Sequence, residues 1–462
     1  MKTRNETDRL IESVKHIHMI GIGGSGMCPL AEILHSKGYI LTGSDNNESD
    51  PLKRIRKLGI QVHMGHAASN IDGAELIVYS AAISQDNPEL VAAREKNIPA
   101  IERSYLLGAL TRRFDQVVGV CGTHGKTTVT SMLTQILIMA AFDPTAVIGG
   151  RLPLIDSNGI AGGSDIMVCE ACEFVDTFLK LSPDIAVLLN IDNDHLDYFG
   201  TMENLTASFH KFVRMAGKAV VCNGDDPLVE KAVAGTPGEK ITFGMKKSNR
   251  YYAENILPGP IGMEFDLMET GKKILHITLP IPGSHNVYNA MAAAAAALYL
   301  GVEPQQIAKA LSCFHGAGRR FEILGRFDGI ILADDYAHHP TELKATLTAA
   351  KNMECNRVIA IFQPFTFSRT ALLMDDFVDA LSIADQVVLT PIMGSREKNT
   401  YGVSSEQIAA QLPACTCLAT FQEVTDYILS VAKTGDLIIT MGGGDIYKAA
   451  YMIRERMQAR QR

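Results

Sequence analysis

The chain has 462 residues, of which 47% are hydrophobic and 20% charged, a composition that excludes a fibre or a disordered tail. Its length exceeds what one hydrophobic core sustains, so three domains of about 100 to 200 residues each are expected. A net charge of −8 argues against nucleic acid or an acidic membrane as partner, and any anionic ligand must be held by local positive groups.

The opening MKTRNETDRLIESVKH lacks the apolar stretch of a secretory signal, and nine cysteines form no even framework, so a reducing, cytoplasmic setting is expected. Next, HIHMIGIGG, YILTGSD, IQVHMGH and ELIVYSA read as strands that alternate with helical stretches such as PLAEILHSKG, the pattern of a Rossmann-like parallel sheet. GIGGSGM places Gly21, Gly23 and Gly26 in GxGxxG spacing directly after a strand, with Gly24 between them and Asp45 at the end of the next strand. Such a loop suits the pyrophosphate of NAD or FAD and that of a nucleotide sugar equally, and a bare tight turn is the bland alternative.

A second α/β unit starts near Asp115. QVVGVCG reads as a strand, GTHGKTT as the turn and VTSMLTQILIMAA as the following helix. Gly122, Thr123, His124, Gly125, Lys126, Thr127 and Thr128 would cradle phosphate oxygens, with Lys126 neutralising β- and γ-phosphate charge and Thr127 next to it as a magnesium ligand. The spacing is shorter than the usual phosphate loop, because Val120 stands where the first glycine belongs.

Two further strand ends carry carboxylates. DIMVCEACEFVDTFL presents Glu170 and Glu173, and DIAVLLNIDNDHLDYFG presents Asn190, Asp192, Asp194, His195 and Asp197. Strand ends of an open sheet converge, so Glu170 and His195 are candidates to hold a divalent metal near the loop, while capping of a helix is the bland reading of DHLD. Cys169 and Cys172 make a CxxC and Cys415 and Cys417 a CxC, but no second pair at zinc spacing accompanies them, and they read as structural thiols. AMAAAAAALYL, from Ala290 to Leu300, falls short of the ~20 residues that cross a bilayer and reads as a buried helix.

The third unit opens at GAGRRFEILGRFDGIILADDYAHHPTE. A strand there ends in Asp334, Asp335, Tyr336, His338 and His339, and RVIAIFQPFTFSRT follows with Gln363 and Arg369. Adjacent histidines do not suit one zinc ion, and Gly442 to Gly444 read as a tight connection.

GTHGKTT, DHLD, GSHNVYNA, GRRF and DDYAHHPTE, in this order and over nearly the whole chain, resemble the Mur ligases, most closely the alanine-adding branch. The resemblance implies an α/β protein of three domains: a Rossmann-like UDP-substrate domain over 1–110, a central P-loop-type ATPase domain over 111–318 and a Rossmann-like amino-acid domain over 319–462. It implies ATP with Mg²⁺ or Mn²⁺, and UDP-N-acetylmuramate and L-alanine as small-molecule substrates of a monomer or homodimer. By this likeness Asp45, His66 and Ser80 lie near the uridine, His285, Asn286 and Asn289 near the adenine, and Tyr336 and Arg369 near the amino acid. Lys126, His195, Arg319 and His338 are then the catalytic candidates, with Arg320 beside Arg319 sensing ATP phosphates as the domains close. Thr127, Glu170 and His195 would be the metal ligands.

The carbamylated lysine of sister ligases falls on Phe209 here, a replacement that fits the alanine-adding branch. Two departures stand out: QPFTFSR replaces QPHRYTR, which leaves amino-acid selectivity open, and EACEFVD replaces EADESD, which makes Glu173 optional. The rival readings are a ligase that adds a ready-made tripeptide, a nicotinamide-dependent oxidoreductase built on GIGGSGM, and a catalytically silent nucleotide-binding regulator.

Overall fold

The computed structural model describes residues 5–259, 262–395 and 397–460; the side chain of Asp197 lies outside the described set. Among the described residues the strands form three sheets, of five, ten and six strands.

The first sheet contains β1 (His16–Ile20), β2 (Ile40–Asp45), β3 (Gln61–Met64), β4 (Leu76–Tyr79) and β5 (Ala100–Glu102). It is parallel throughout in the order β3-β2-β1-β4-β5. Helices cover both faces, so Ile17, Met19, Ile20, Leu76, Ile77 and Val78 are all buried and the strands read as apolar runs. The order reverses between β1 and β4, which opens a crevice at their C-terminal ends, where Gly21 and Ser80 sit.

The second sheet runs from β6 (Gln116–Cys121) through β7 (Thr145–Leu152), β8 (Ser157–Ile160), β9 (Ile166–Glu170), β10 (Ile185–Leu188), β11 (Ala219–Asn223), β12 (Glu239–Gly244), β13 (Tyr251–Pro258) and β14 (Met263–Glu269) to β15 (Lys272–Leu279). Its order is β15-β14-β13-β12-β11-β10-β6-β9-β7-β8, with β6 flanked by parallel β10 and β9. The loop after β6 therefore emerges between the ends of two later strands. Helix Lys126–Met139 continues from that loop and is buried from Thr127 to Leu137, which is why its sequence shows no polar face. The alanine-rich segment lies in helix Ser284–Tyr299, where Ala290 to Ala297 are at most 1% exposed.

The third sheet holds β16 (Glu322–Phe327), β17 (Ile330–Asp335), β18 (Arg357–Phe362), β19 (Gln386–Leu389), β20 (Cys415–Cys417) and β21 (Asp436–Met441), in the order β16-β17-β21-β18-β19-β20. Only the β16–β17 pair is antiparallel among its described pairings. Leu343 and Leu347 pack on one face and Val424, Ile428 and Ile453 on the other, the doubly wound arrangement.

The chain divides into two compact units. One comprises Met1–Glu254, Asp266–Ile277 and Tyr288–Ser312, the other Asn255–Phe265, Thr278–Val287 and Cys313–Arg462. In the first unit the five-stranded and ten-stranded sheets share one core that runs from Ile11 to Val233. Polar ties cross the same seam: Ser157 Oγ donates to Glu32 Oε2 at 2.8 Å, and Arg112 Nη1 donates to Lys180 O at 3.4 Å. No described helix is long and apolar enough to cross a membrane.

Candidate active site

The loop after β6 owes its shape to two glycines. Gly122 has φ 135 and Gly125 has φ 87, and a Cβ on Gly125 would sit 2.5 Å from Asn289 Oδ1, so only glycine fits. Gly125 is also the N-cap of the following helix and offers no side-chain cap, leaving first-turn amides for a ligand at the positive end of the dipole. Thr127 and Thr128 are buried in that first turn.

The neighbouring strand end locks the loop in place. Thr123 N donates to Asn190 O at 3.1 Å, His124 N to Asn190 Oδ1 at 2.8 Å, and Asn190 Nδ2 returns a bond to His124 O at 3.0 Å. His124 Nε2 lies 2.9 Å from Asp192 Oδ2, and Asp192 N donates to Thr123 Oγ1 at 2.9 Å.

Lys126 folds back over its own loop. Its Nζ donates to Gly122 O at 2.6 Å, to Thr123 O at 3.0 Å and to Glu173 Oε1 at 3.0 Å, with Glu173 Oε2 at 2.9 Å. Burial by itself would lower the Lys126 ammonium, but the Glu173 carboxylate outweighs it and raises the group above the ordinary lysine value. Glu173, expected to be optional, is thus the 1% exposed counter-charge of the loop lysine. Glu170 is turned aside: its Oε2 accepts from Gly149 N at 2.8 Å.

The segment after Glu173 is strained. Val175 and Asp176 take φ of 53 and 55, unfavourable for a β-branched residue, and Asp176 is pinned by Ser208 Oγ and by Tyr198 Oη at 3.1 Å. This turn brings the exposed Phe174 ring 4.9 Å from the ring of His195, itself at φ 57. Phe209, at the lysine position of sister ligases, is fully buried and meets Phe178 edge-on at 5.5 Å, so the core and not the loop claims it.

In the first sheet the glycine loop and Asp45 meet directly. Gly23 N donates to Asp45 Oδ2 at 3.0 Å, and a Cβ on Gly23 would strike Leu52 at 2.8 Å. Gly24 N donates to Gly21 O at 3.1 Å, tightening the turn. Gly21 faces Ser80, whose Oγ would lie 3.8 Å from an added Cβ. His66 Nδ1 sits 3.1 Å from Ser44 Oγ. Sequence reasoning missed Arg103: its Nη1 would lie 3.0 Å from a Cβ on Gly26, so a guanidinium rests on the loop, and the only signal was a basic residue opening a helix. The helix behind the loop, Cys28–Ser36, has no side-chain cap.

The second unit gathers its own cluster where β17, β18 and β21 end. Arg319 donates from Nε to Asp334 Oδ2 at 3.0 Å, from Nη1 to Gly444 O at 2.9 Å and from Nη2 to Gly442 O at 2.7 Å. Its guanidinium lies between the rings of Tyr336 and Tyr447, 5.0 and 4.7 Å from their centroids. An arginine so committed braces the glycine turn. Arg320 lies over the other aspect of the cluster, 5.0 Å from the Tyr336 ring. His338 Nδ1 is 3.2 Å from Glu342 Oε2, and its ring stands edge-on to Tyr336 and Phe365. Thr366 caps helix Phe367–Leu372 by accepting from Arg369 N at 3.4 Å. Asn286 donates to Pro282 O at 2.6 Å in this unit, while Asn289 stands against Gly125 in the other.

Two buried carboxyls titrate in opposite senses. Burial would raise Glu89, but hydrogen bonds from His18, Ser44 and Asn70 outweigh it and bring it from 4.5 down to about 2. Asp335 is pushed from 3.8 up to about 6 by burial, against Arg320 and two backbone amides. Glu89 therefore stabilises the first unit above pH 4.5, by about 3 kcal/mol, and loses this as pH falls through 2. Asp335 favours the second unit most below pH 3.8 and withdraws a similar amount, about 3 kcal/mol, as pH rises through 6. Hydrogen exchange between pH 6 and 3 should show the first unit losing protection relative to the second; parallel loss in both would contradict these assignments.

Comparison with known proteins extends over the same three segments. Residues 16–115 match the Mur ligase family catalytic domain, 120–297 the Mur ligase middle domain, and 319–444 the Mur ligase glutamate ligase domain. The chain is 44% identical over 444 residues to the UDP-N-acetylmuramate–L-alanine ligase of Caldicellulosiruptor bescii, covering 95% of this chain and 98% of that one. It is 43% identical over 439 residues to the enzyme of that description from Agathobacter rectalis, covering 93% and 96%. Among solved structures, the UDP-N-acetylmuramate-alanine ligase of Thermotoga maritima superposes with a TM-score of 0.84 at 30% identity over 96% of this chain and 99% of that one. A murein peptide ligase of Psychrobacter arcticus gives 0.74 at 25% identity over 96% and 99%. With the shortened loop seated between two strand ends, three consecutive domain matches and full-length identity above 40%, the chain belongs to the Mur ligase family.

Proposed function

We propose that this protein joins L-alanine to the lactyl carboxylate of UDP-N-acetylmuramate, at the expense of ATP, in the synthesis of peptidoglycan precursors in the cytoplasm. The reading is carried by Lys126, a buried ammonium at the head of a helix whose amides are uncapped. A carboxylate is a poor electrophile, so it first takes the γ-phosphoryl group of ATP, giving an acyl phosphate and ADP. The amine then attacks the acyl carbon, the C–O bond to phosphate breaks, and an amide and inorganic phosphate leave.

In this scheme Lys126 exchanges its bonds to Gly122 O and Thr123 O for β- and γ-oxygens, while the loop amides bind the remaining phosphate oxygens. The glycine loop of the first sheet, with Arg103 and the uncapped helix Cys28–Ser36, takes the UDP diphosphate, and Asp45, His66 and Ser80 the uridine side. Tyr336, His338 and Arg369 receive the amino acid in the second unit. Thr127, Glu170, Glu173 and His195 would hold Mg²⁺: among the described residues Glu173 Oε2 accepts no hydrogen bond and faces the Lys126 charge, and hard oxygen donors suit this ion. When bound, Mg²⁺ neutralises charge on the transferring phosphoryl group.

Addition of a preformed tripeptide is the second reading, favoured by the likeness to a murein peptide ligase and by Phe365 and Thr366 in the QPFTFSR segment. Release of ADP and phosphate should require Mg²⁺, UDP-N-acetylmuramate and an amino acid together. Screening alanine, serine, glycine and the tripeptide in that assay decides between the two. Hydride transfer to NAD without ADP would overturn both.

A further inference from the structure

Glu89 is the second residue after the N-cap Asn87 of helix Pro88–Glu95, and it has no solvent exposure at all. A carboxylate placed so deeply is costly unless every lone pair is occupied. Here Asn70 Nδ2 donates to Oε1 at 2.6 Å, Ser44 Oγ donates to Oε2 at 2.7 Å, and the Nε2 of the equally buried His18 stands 3.6 Å from Oε2. Thr42 Oγ1, 2.9 Å from His18 Nδ1, holds that ring from its far side. His66 closes the group, with Nδ1 3.3 Å from Glu89 Oε2 and 3.1 Å from Ser44 Oγ.

The proton inventory of this cluster is decisive. A carboxylate only accepts, and the Ser44 hydroxyl spends its one proton on Glu89. Both oxygens that face His66 Nδ1 are therefore acceptors, and Nδ1 must carry the hydrogen. In the neutral ring the remaining nitrogen, Nε2, is then a lone-pair acceptor.

We propose that Glu89, acting through Ser44, is a positioning residue that locks His66 in its Nδ1–H tautomer, so that Nε2 accepts a hydrogen bond from a donor on the bound uridine. The inference rests on the reading of this crevice as the UDP site. Three donors on that ligand have the required chemistry, the imide N3–H of uracil and the 2′- and 3′-hydroxyls of the ribose. Acceptor-only presentation by the protein discriminates against ligands that lack the donor, because the buried acceptor would be left unpaired.

The experiment uses the full chain. Long-range proton–nitrogen correlation of His66 should show the Nδ1–H tautomer in the wild type and its loss in Glu89→Gln and in Ser44→Ala, the latter removing a single hydroxyl and guarding against a folding defect. Calorimetry with UDP should show binding weakened about tenfold in both variants, as for one hydrogen bond. KM for UDP-N-acetylmuramate should rise by a like factor while kcat stays within about twofold, since ATP phosphates are handled at the other sheet. N3-methyl-UDP, 2′-deoxy-UDP and 3′-deoxy-UDP then identify the donor: one of them should lose about tenfold against UDP in the wild type and nothing further in the variants. An Nε2–H tautomer in the wild type, unchanged UDP binding in both variants, or wild-type binding of all three analogues at UDP strength would overturn the proposal. Failure of wild-type protein to bind UDP at all would instead remove the reading of the crevice, and the proposal with it.

Discussion

Lys126→Ala is expected to lower kcat for ADP release by about a thousandfold while UDP affinity stays within twofold of the wild type. The first effect follows from the position of Nζ, which is the cationic group at the turn where the phosphates are proposed to sit. The second follows from topology: the loop proposed to take UDP belongs to the five-stranded sheet and Lys126 to the ten-stranded one, each at its own point of strand-order reversal. The substitution also leaves Glu173 as a buried charge without its partner, at a cost of about 3–5 kcal/mol. Lys126→Ala combined with Glu173→Gln should therefore recover most of the stability and none of the turnover. Measuring ADP release, UDP calorimetry and urea unfolding on both variants separates the two roles of the lysine. Near-normal turnover in either variant would remove Lys126 from the chemistry, and joint loss of ATP and UDP binding in the stable double variant would contradict the division between the sheets.

Arg319→Ala should destabilise the second unit by about 3–5 kcal/mol, because Asp334, 1% exposed, is left with Thr440 Oγ1 as its remaining described hydrogen-bond partner. Burial already raises the Asp334 carboxyl despite the guanidinium beside it, so loss of the cation pushes it further upward. The carbonyls of Gly442 and Gly444 lose their donors at the same stroke, freeing the glycine turn that packs against His338 and Phe365. Arg319→Lys should not rescue, since one ammonium cannot reach an aspartate and two carbonyls in the planar fork that guanidinium supplies. The readout is hydrogen exchange in β17 and β21, with the first unit as internal control. If Arg319→Ala unfolds as the wild type does and turnover alone is lost, the arginine acts on substrate and not on the framework.

The loops proposed to carry chemistry were visible in the chain because their geometry is local. Gly122 and Gly125 need positive φ, the lysine and threonines follow at once, and an apolar strand precedes them. The strands of the first sheet were legible for a similar reason: burial on both faces demands uninterrupted apolar runs. Pairings between distant residues were not. Glu173 meets Lys126 across 47 residues, Arg319 meets Gly444 across 125, and Glu89 meets His66 across 23. Reading EACEFVD as a variant spelling made Glu173 optional, whereas the strained turn at Val175 and Asp176 accompanies a buried Glu173 and an exposed Phe174. Phe209 likewise looked like a missing lysine and is a core ring.

Order along the chain thus settled the alternation of strand and helix, the glycine turn between β6 and its helix, and the family, since each depends on spacing within a few residues and on the period of buried side chains. Folding in three dimensions alone decided which carboxylate neutralises the loop lysine, which arginine braces the second unit and which acidic side chain His66 meets. Those choices depend on where strand order reverses in each sheet, and on the demand that a charge removed from water find its partner wherever the backbone happens to bring one.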